Sequence, residues 1–319
     1  MTSRSARPAA LPPESGSWPP EVAAAAAAAV CRLLGVDDRD LRRLPSGSNH
    51  VVHAAGSALV VRVAPPGWRD RLAAQCRLSA ALVEQGVRVG RPAAGVLDVD
   101  VLGVRVSATV WSYERPEPGR PVDWRAVGEL VRDFHAGGDR VAASGATGLP
   151  ERDLHRHVGE RLGALRAAVG ERDSALLRDW HDRLVEELAR VEWLLPPGVT
   201  HGDVQRANVV TTRCGPVLVD PDGFAVGPRE VDLAWVAEEH LAGRLPDGDY
   251  RAFVAGVGTD VAGWPGLAVL ARLRELSHTS WVLLRRDRHP EDAALAGRML
   301  AWWRAGAPPG AARTGAVGS

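Results

Sequence analysis

Between residues 200 and 222 the chain reads T-H-G-D-V-Q-R-A-N-V-V-T-T-R-C-G-P-V-L-V-D-P-D, which sets Asp203 five residues before Asn208 and seventeen before Asp220. Two carboxylates and an amide at these spacings suit phosphoryl transfer. A terminal phosphoryl group and its magnesium need hard oxygen ligands, and an attacking hydroxyl needs a carboxylate within hydrogen-bond reach. Asp203 fits the second task; Asn208 and Asp220 fit the first. The competing reading makes these ordinary polar loop and cap residues. Four residues of specified type at fixed offsets, His201 included, argue against it.

The elements that must deliver these side chains are legible nearby. Residues 209–212 and 217–219 read as β-branched strands joined by Arg213-Cys214-Gly215, a hairpin that returns Asp220 beside Asn208. Pro196-Pro197-Gly198 stops a helical pattern and leads the chain into the loop.

Over His201-Gly202-Asp203 with Asn208, then Leu218-Val219-Asp220-Pro221-Asp222 and Gly227-Pro228-Arg229-Glu230-Val231-Asp232-Leu233, the chain resembles the aminoglycoside phosphotransferase family of small-molecule kinases. The resemblance is sharp over residues 198–235 and looser over 40–136. It implies an α+β, protein-kinase-like two-lobed fold, with a small β-rich N-terminal lobe and a larger, mainly helical C-terminal lobe. It also implies that Asp222 ligates a second ion or only orients water, with a secondary metal ligand the favoured role, and that His201 is structural; a catalytic histidine is the competing reading, without a carboxylate orienter at a readable spacing. Asp232 would be buried at a helix start and bond the backbone of the 201–208 loop. An ordinary first-turn carboxylate, favoured by the helix dipole, is the competing reading of Asp232.

Upstream, Leu44-Pro45-Ser46-Gly47-Ser48-Asn49 is a turn-rich segment flanked by strand patterns at 51–52 and 59–63. Ser46, Gly47 and Ser48 could lay backbone N–H groups and hydroxyls over nucleotide phosphates. Alone, a glycine between serines is an ordinary turn; its place ahead of the Asp203 loop gives it weight. Kinase folds carry a lysine on the following strand, paired with a glutamate on the next helix. Here Arg62 stands on the strand and Gln75 takes the glutamate's place, with Glu84 the nearest other acid if the alignment is displaced. Arginine can hold phosphate oxygens bidentately, and Gln75 could accept a hydrogen bond from it. A solvated strand residue is the competing reading of Arg62.

A strand-like run over 104–111 leads to Trp111-Ser112-Tyr113-Glu114, where an interlobe hinge is expected. Its backbone over 111–114 would be available to an adenine edge, with Trp111 itself read as core. Asp123 then caps a helix whose Val127, Leu130, Val131 and Phe134 share a face, and which is expected to end at Gly137. Helical patterns recur over 154–165, 177–191, 231–240, 267–284 and 290–303. The expected organisation is a disordered tail over 1–20, an N-terminal nucleotide-binding lobe over 21–113 opening with an alanine-rich helix, a C-terminal catalytic and substrate lobe over 114–306, and a tail over 307–319.

Composition narrows the function. The chain has 319 residues, 45% of them hydrophobic, enough for two lobes. Its 39 basic and 39 acidic residues cancel, which argues against a nucleic-acid binder. No lysine occurs, so all 39 basic residues are arginine. Cys31, Cys76 and Cys214 lack disulfide or zinc spacing, and the apolar run 22–30 is too short for a bilayer, so a cytoplasmic protein without a membrane partner is expected. Gly202 stands where protein kinases carry an arginine, and only residues 221–230 separate Asp220 from the next helical pattern. That leaves no segment to dock a peptide. The expected function is an ATP- and Mg2+-dependent kinase, with GTP as an alternative donor, acting on a hydroxyl of a small molecule. The runner-up is a non-catalytic nucleotide-binding or interaction protein on the same fold, motivated by the altered lysine–glutamate pair. Glu238, Glu239, Asp247, Asp249, Asp260 and Glu275 could attract a cationic acceptor, but interspersed arginines make a mixed-charge surface the default.

Overall fold

In the computed structural model, residues 18–44, 49–145, 148–286 and 292–307 are described. Valine-rich alternation near the N-terminus builds an antiparallel sheet. Helix α1 (Pro20–Leu33) precedes β1 (Leu41–Leu44), β2 (His50–Ala54), β3 (Leu59–Val63), α2 (Arg69–Glu84), β4 (Pro92–Val101) and β5 (Val104–Ser112), and the strands lie in the order β1-β2-β3-β5-β4. Alternate side chains face opposite sides of such a sheet. Val52, Ala54, Val61, Val63, Val106 and Val110 are buried beneath the alanine face of α1. Val51, Val60 and Trp111 turn the other way and meet Cys76 of α2.

Two edges of the expected organisation shift. Trp18, expected in a disordered tail, is buried and its indole N–H donates to Ala64 O at 2.8 Å. Pro20 already belongs to α1, where proline suits the first turn. Ala307, expected in the trailing tail, is also buried.

The remaining elements are helices around two short hairpin-like sheets. In order they are α3 (Trp124–Ala143), α4 (Arg156–Ala164), α5 (Arg166–Val169), α6 (Glu171–Leu188), β6 (Gly198–Thr200), β7 (Val209–Thr212), β8 (Gly215–Leu218), β9 (Ala225–Gly227), α7 (Glu230–Leu241), α8 (Asp247–Val257), α9 (Gly266–Arg285) and α10 (Asp292–Arg304). Phe134, Val199, Val204, Leu218, Phe224, Leu233 and Phe253 join α3, α7 and α8 to the loops that carry the candidate site. A separate cluster, including Leu162, Leu184, Leu276 and Trp303, holds α4, α6, α9 and α10 together. No described helix is long and apolar enough to cross a membrane.

Asp123 caps α3 as expected, accepting from Ala126 N at 3.0 Å. The helix does not stop at Gly137, however, but continues to Ala143. Its glycines serve close packing. A Cβ at Gly137 would lie 2.7 Å from a Leu82 methyl, and one at Gly138 2.5 Å from Val199 Cβ. At Gly128 a Cβ would lie 2.2 Å from Phe253 O, and at Gly256 2.2 Å from Arg125 O, so α3 and α8 cross with their backbones nearly touching.

Candidate active site

Strand β6 pairs with β9, Thr200 opposite Ala225, and so starts the 201–208 loop beside the segment that follows Asp220. Hairpin β7–β8 pairs Val209 with Leu218, one residue short of the expected strand end, and Val219 N donates to Asn208 O at 2.9 Å. That bond sets Asp220 next to Asn208.

Asp232, fully buried in the first turn of α7, accepts from His201 N at 2.9 Å, from Gly202 N, and from His135 Nε2 at 2.8 Å. Burial works against its charge. The hydrogen bond and charge of His135, together with His201 and the Gly202 N–H, outweigh burial and hold its carboxyl below the usual range. This is the backbone-bonding geometry the resemblance implied, not an exposed helix-dipole carboxylate. His201 lies with Nε2 3.1 Å from Val219 O, and its ring is wedged between Phe134 and Phe224. Burial pushes its pKa down, so the neutral ring donates from Nε2 to that carbonyl and ties the loop to the Asp220 strand.

Asp203 Oδ2 accepts from Gln205 Nε2 at 2.8 Å and from Asn208 Nδ2 at 2.7 Å; the same Nδ2 lies 2.9 Å from Asp203 O. With its NH2 committed inward, Asn208 keeps Oδ1 as its free acceptor. Burial, helped by the negative charge of Asp220, raises the Asp203 carboxyl above the ordinary value. Asp220 takes a left-handed backbone, φ 66 and ψ 80, two residues after the end of β8. Its Oδ1 accepts from Arg62 Nη2 at 2.7 Å, and Asp222 Oδ1 lies 2.9 Å from the same nitrogen. Asp222 also accepts from Asn49 Nδ2, and its carbonyl accepts from Arg71. Burial raises the Asp222 carboxyl despite the opposing charge of Arg62.

Arg62 is 7% exposed and therefore no solvated strand residue. Burial alone would lower its pKa; Asp222 and Asp220 outweigh that and raise it, keeping the guanidinium charged. The expected Arg62–Gln75 bond is not made. Gln75 is completely buried with neither amide atom bonded, because two carboxylates outcompete a neutral amide for the cation. Ser46, Gly47 and Ser48 lie outside the described residues. Most of the expected hinge donors are spent in the fold: Ser112 N donates to Arg91 O and Tyr113 N to Ala58 O, which leaves Glu114 N. Val60 and Trp111 are buried in one cluster with Cys76, and Leu44, Val51 and Tyr113 pack against it. Trp111 is core, as expected, with its indole N–H on Thr109 Oγ1 at 2.8 Å.

Sequence reasoning missed Asn49 and Arg71 as partners of Asp222, Gln205 as a support of Asp203, and His135 as a support of Asp232. It also missed Arg152, whose Nη2 donates to Thr200 Oγ1 at 2.6 Å and to Gly223 O. The only available signal was indirect. Gly202 replaces an arginine of the protein-kinase loop, and the structure sets an arginine from 50 residues upstream against that glycine.

A β-rich N-terminal region, a helical C-terminal region and, between them, the loop and hairpin that carry this constellation are the architecture of the protein-kinase-like fold. The chain matches the model of the phosphotransferase enzyme family, APH, over residues 40–276, and it belongs to that family. A probable ketoamine kinase of Thermus thermophilus is 36% identical over 183 residues, covering 53% of this chain. The match spans 61% of that relative's length. Among solved structures, the amicoumacin kinase hAmiN in complex with AMP-PNP, Ca2+ and Ami superposes with a TM-score of 0.66 at 14% identity, over 88% of this chain and 93% of that one. A microcompartment-associated aminopropanol kinase gives 0.65 at 18%, over 87% and 96%. These structural likenesses bear on the fold.

Proposed function

We propose that the protein transfers the terminal phosphoryl group of ATP, or GTP, to a hydroxyl of a small molecule, in the presence of magnesium. The observation that carries this reading is the partly buried Asp203 carboxylate, oriented by Asn208 Nδ2 at 2.7 Å, with burial and the charge of Asp220 raising its pKa. As the acceptor oxygen bonds to phosphorus and the bond to the bridging oxygen breaks, Asp203 takes the hydroxyl proton and the nucleoside diphosphate leaves. Arg62 exchanges its two carboxylates for phosphate oxygens. Glu114 N and the apolar patch around Val51 and Val60 receive the base.

Asn208, Asp220 and Asp222 would hold magnesium, and an amide oxygen with two carboxylates is a donor set of the right hardness. Held there, the ion would supply positive charge to offset the charge on the phosphate oxygens. The acceptor is read as a small hydroxyl compound. Glu238 is paired with Arg274, Glu239 with Arg244 at 2.8 Å, and Asp260 with Tyr250 at 2.6 Å, so these acids are engaged within the fold.

Calorimetric titration of ATP and of GTP, with and without magnesium, tests the reading on wild type and Asp220→Asn. Magnesium-dependent binding that weakens about tenfold or more in the variant is expected. No nucleotide binding under any of these conditions sinks the proposal. Nucleotide binding with no product from a panel of hydroxyl compounds would favour a binding-only protein.

A further inference from the structure

Arg152 is built into the loop that carries Asp203, yet among the described residues no carboxylate comes within ion-pair distance of it. Its Nη2 is used on Thr200 Oγ1 and Gly223 O, and among the described residues its buried Nε has no partner and its Nη1 makes no hydrogen bond. Two glycines make its socket. A Cβ at Gly202, where φ is +84, would lie 2.5 Å from Nη1, and a Cβ at Gly227 would lie 2.3 Å from Arg152 Cβ. The guanidinium thus lies against the residue that immediately precedes Asp203.

Keeping a cation there is costly. Burial lowers the Arg152 pKa, Arg71 adds like charge, and Asp232 and Asp203 compensate only in part and from beyond bonding distance. A largely buried charge without a bonded counter-charge destabilises a fold unless an anion completes it. A purely structural tether between Thr200 and Gly223 would not require the charge or the unused Nη1, since a neutral donor could make those bonds.

We propose that Arg152 is an anion-binding residue of the site, whose Nη1 receives an anionic oxygen beside Asp203. That oxygen belongs either to the transferred phosphoryl group or to an acid group carried by the acceptor. The inference rests on the phosphotransfer reading for its meaning, but its test can fail separately.

Inorganic phosphate and, separately, acetate are titrated calorimetrically into the full chain, free and saturated with ADP and magnesium. Saturable binding to wild type, weakened about tenfold or more in Arg152→Gln, is expected for a lost charge-assisted hydrogen bond. A phosphate response assigns the transferred group; an acetate response without one assigns the acceptor's acid. Absence of binding of either anion to wild type overturns the proposal, as does equal affinity in Arg152→Gln. If Arg152→Gln does not melt cooperatively, Arg152→Lys decides: a loss of about threefold or more supports the planar fork as the contact, and unchanged affinity overturns it. Arg152-dependent anion binding in a chain that binds no ADP would bring down the phosphotransfer reading alone.

Discussion

Burial raises the Asp203 carboxyl, and the sign of that shift fixes the acid side of the pH profile. A general base works only when deprotonated, so turnover falls as pH drops through the raised value, above the roughly 3.9 of a free aspartate. Removing Gln205, whose bond favours the ionised form, moves that limb further up; the Gln205→Ala pH–rate profile reads it. A wild-type limb at or below the free value would contradict the assignment. Asp203→Asn should lose about 10²–10⁴-fold in turnover while keeping nucleotide affinity, checked by steady-state kinetics beside calorimetry. Asp203, Asn208 and Asp220 were legible because one loop and one hairpin carry them all. Asn49, Arg71 and Arg152 were not, because each reaches the site across long stretches of chain and no spacing records such contacts. Gln75 was misjudged for a related reason, since Arg62 bonds to charges that only folding brings near it.

Helix α3 shows where reading by element breaks down. A glycine after an apolar stripe is a stop signal in sequence, but Gly137 and Gly138 are instead points of close approach to α2 and β6. The two uses look alike until the partner element is known. Helix propensity alone makes glycine-to-alanine favourable by about 1 kcal/mol. Gly297→Ala on α10, where a Cβ meets nothing within 4 Å, should gain up to about that much. Gly128→Ala should instead lose about 1–3 kcal/mol or more, because what it meets is the backbone of α8. Urea unfolding of the two variants checks the contrast; equal signs would mean that the α3–α8 crossing relaxes. The β7–β8 hairpin, by contrast, was legible to within two residues, with Gly215 in β8 and not in the turn, since β-branched runs around a short turn leave few alternatives.

Across the whole molecule, two sets of hydrogen bonds join the regions beside the apolar packing of α2 on α3. On one side, Gly90 N donates to Leu218 O at 2.8 Å, Leu218 N to Arg88 O at 3.0 Å, and Glu117 N to Thr211 O at 2.8 Å. In the cleft, Asn49, Arg62 and Arg71 all reach Asp220 or Asp222. The first set runs between backbone groups; the second is made by side chains for which, on the proposed reading, nucleotide and magnesium would compete. Arg62→Met should lower stability by about 1–3 kcal/mol, since two neighbouring carboxylates lose their cation, and partial exposure of Asp220 limits the loss. Magnesium should restore much of it, because the ion would neutralise the same carboxylates. Scanning calorimetry with and without magnesium reads this, and a loss that magnesium leaves unchanged would count against the metal site. The two-region α+β architecture was legible from the order of strand and helix patterns. The cleft ties were not, because they depend on the relative placement of the regions.

The left-handed backbone at Asp220 bears on how descendants of this chain could fall silent. Aspartate, asparagine and glycine tolerate that conformation better than other residues, and a single base change converts an aspartate codon to either. The shortest mutational route to an inactive lineage therefore removes the carboxylate and spares the fold. Asp220→Asn and Asp220→Gly should melt close to wild type, while Asp220→Ala should be less stable by about 1 kcal/mol. A lineage that took that step would keep a folded cleft free to be selected for docking instead of chemistry.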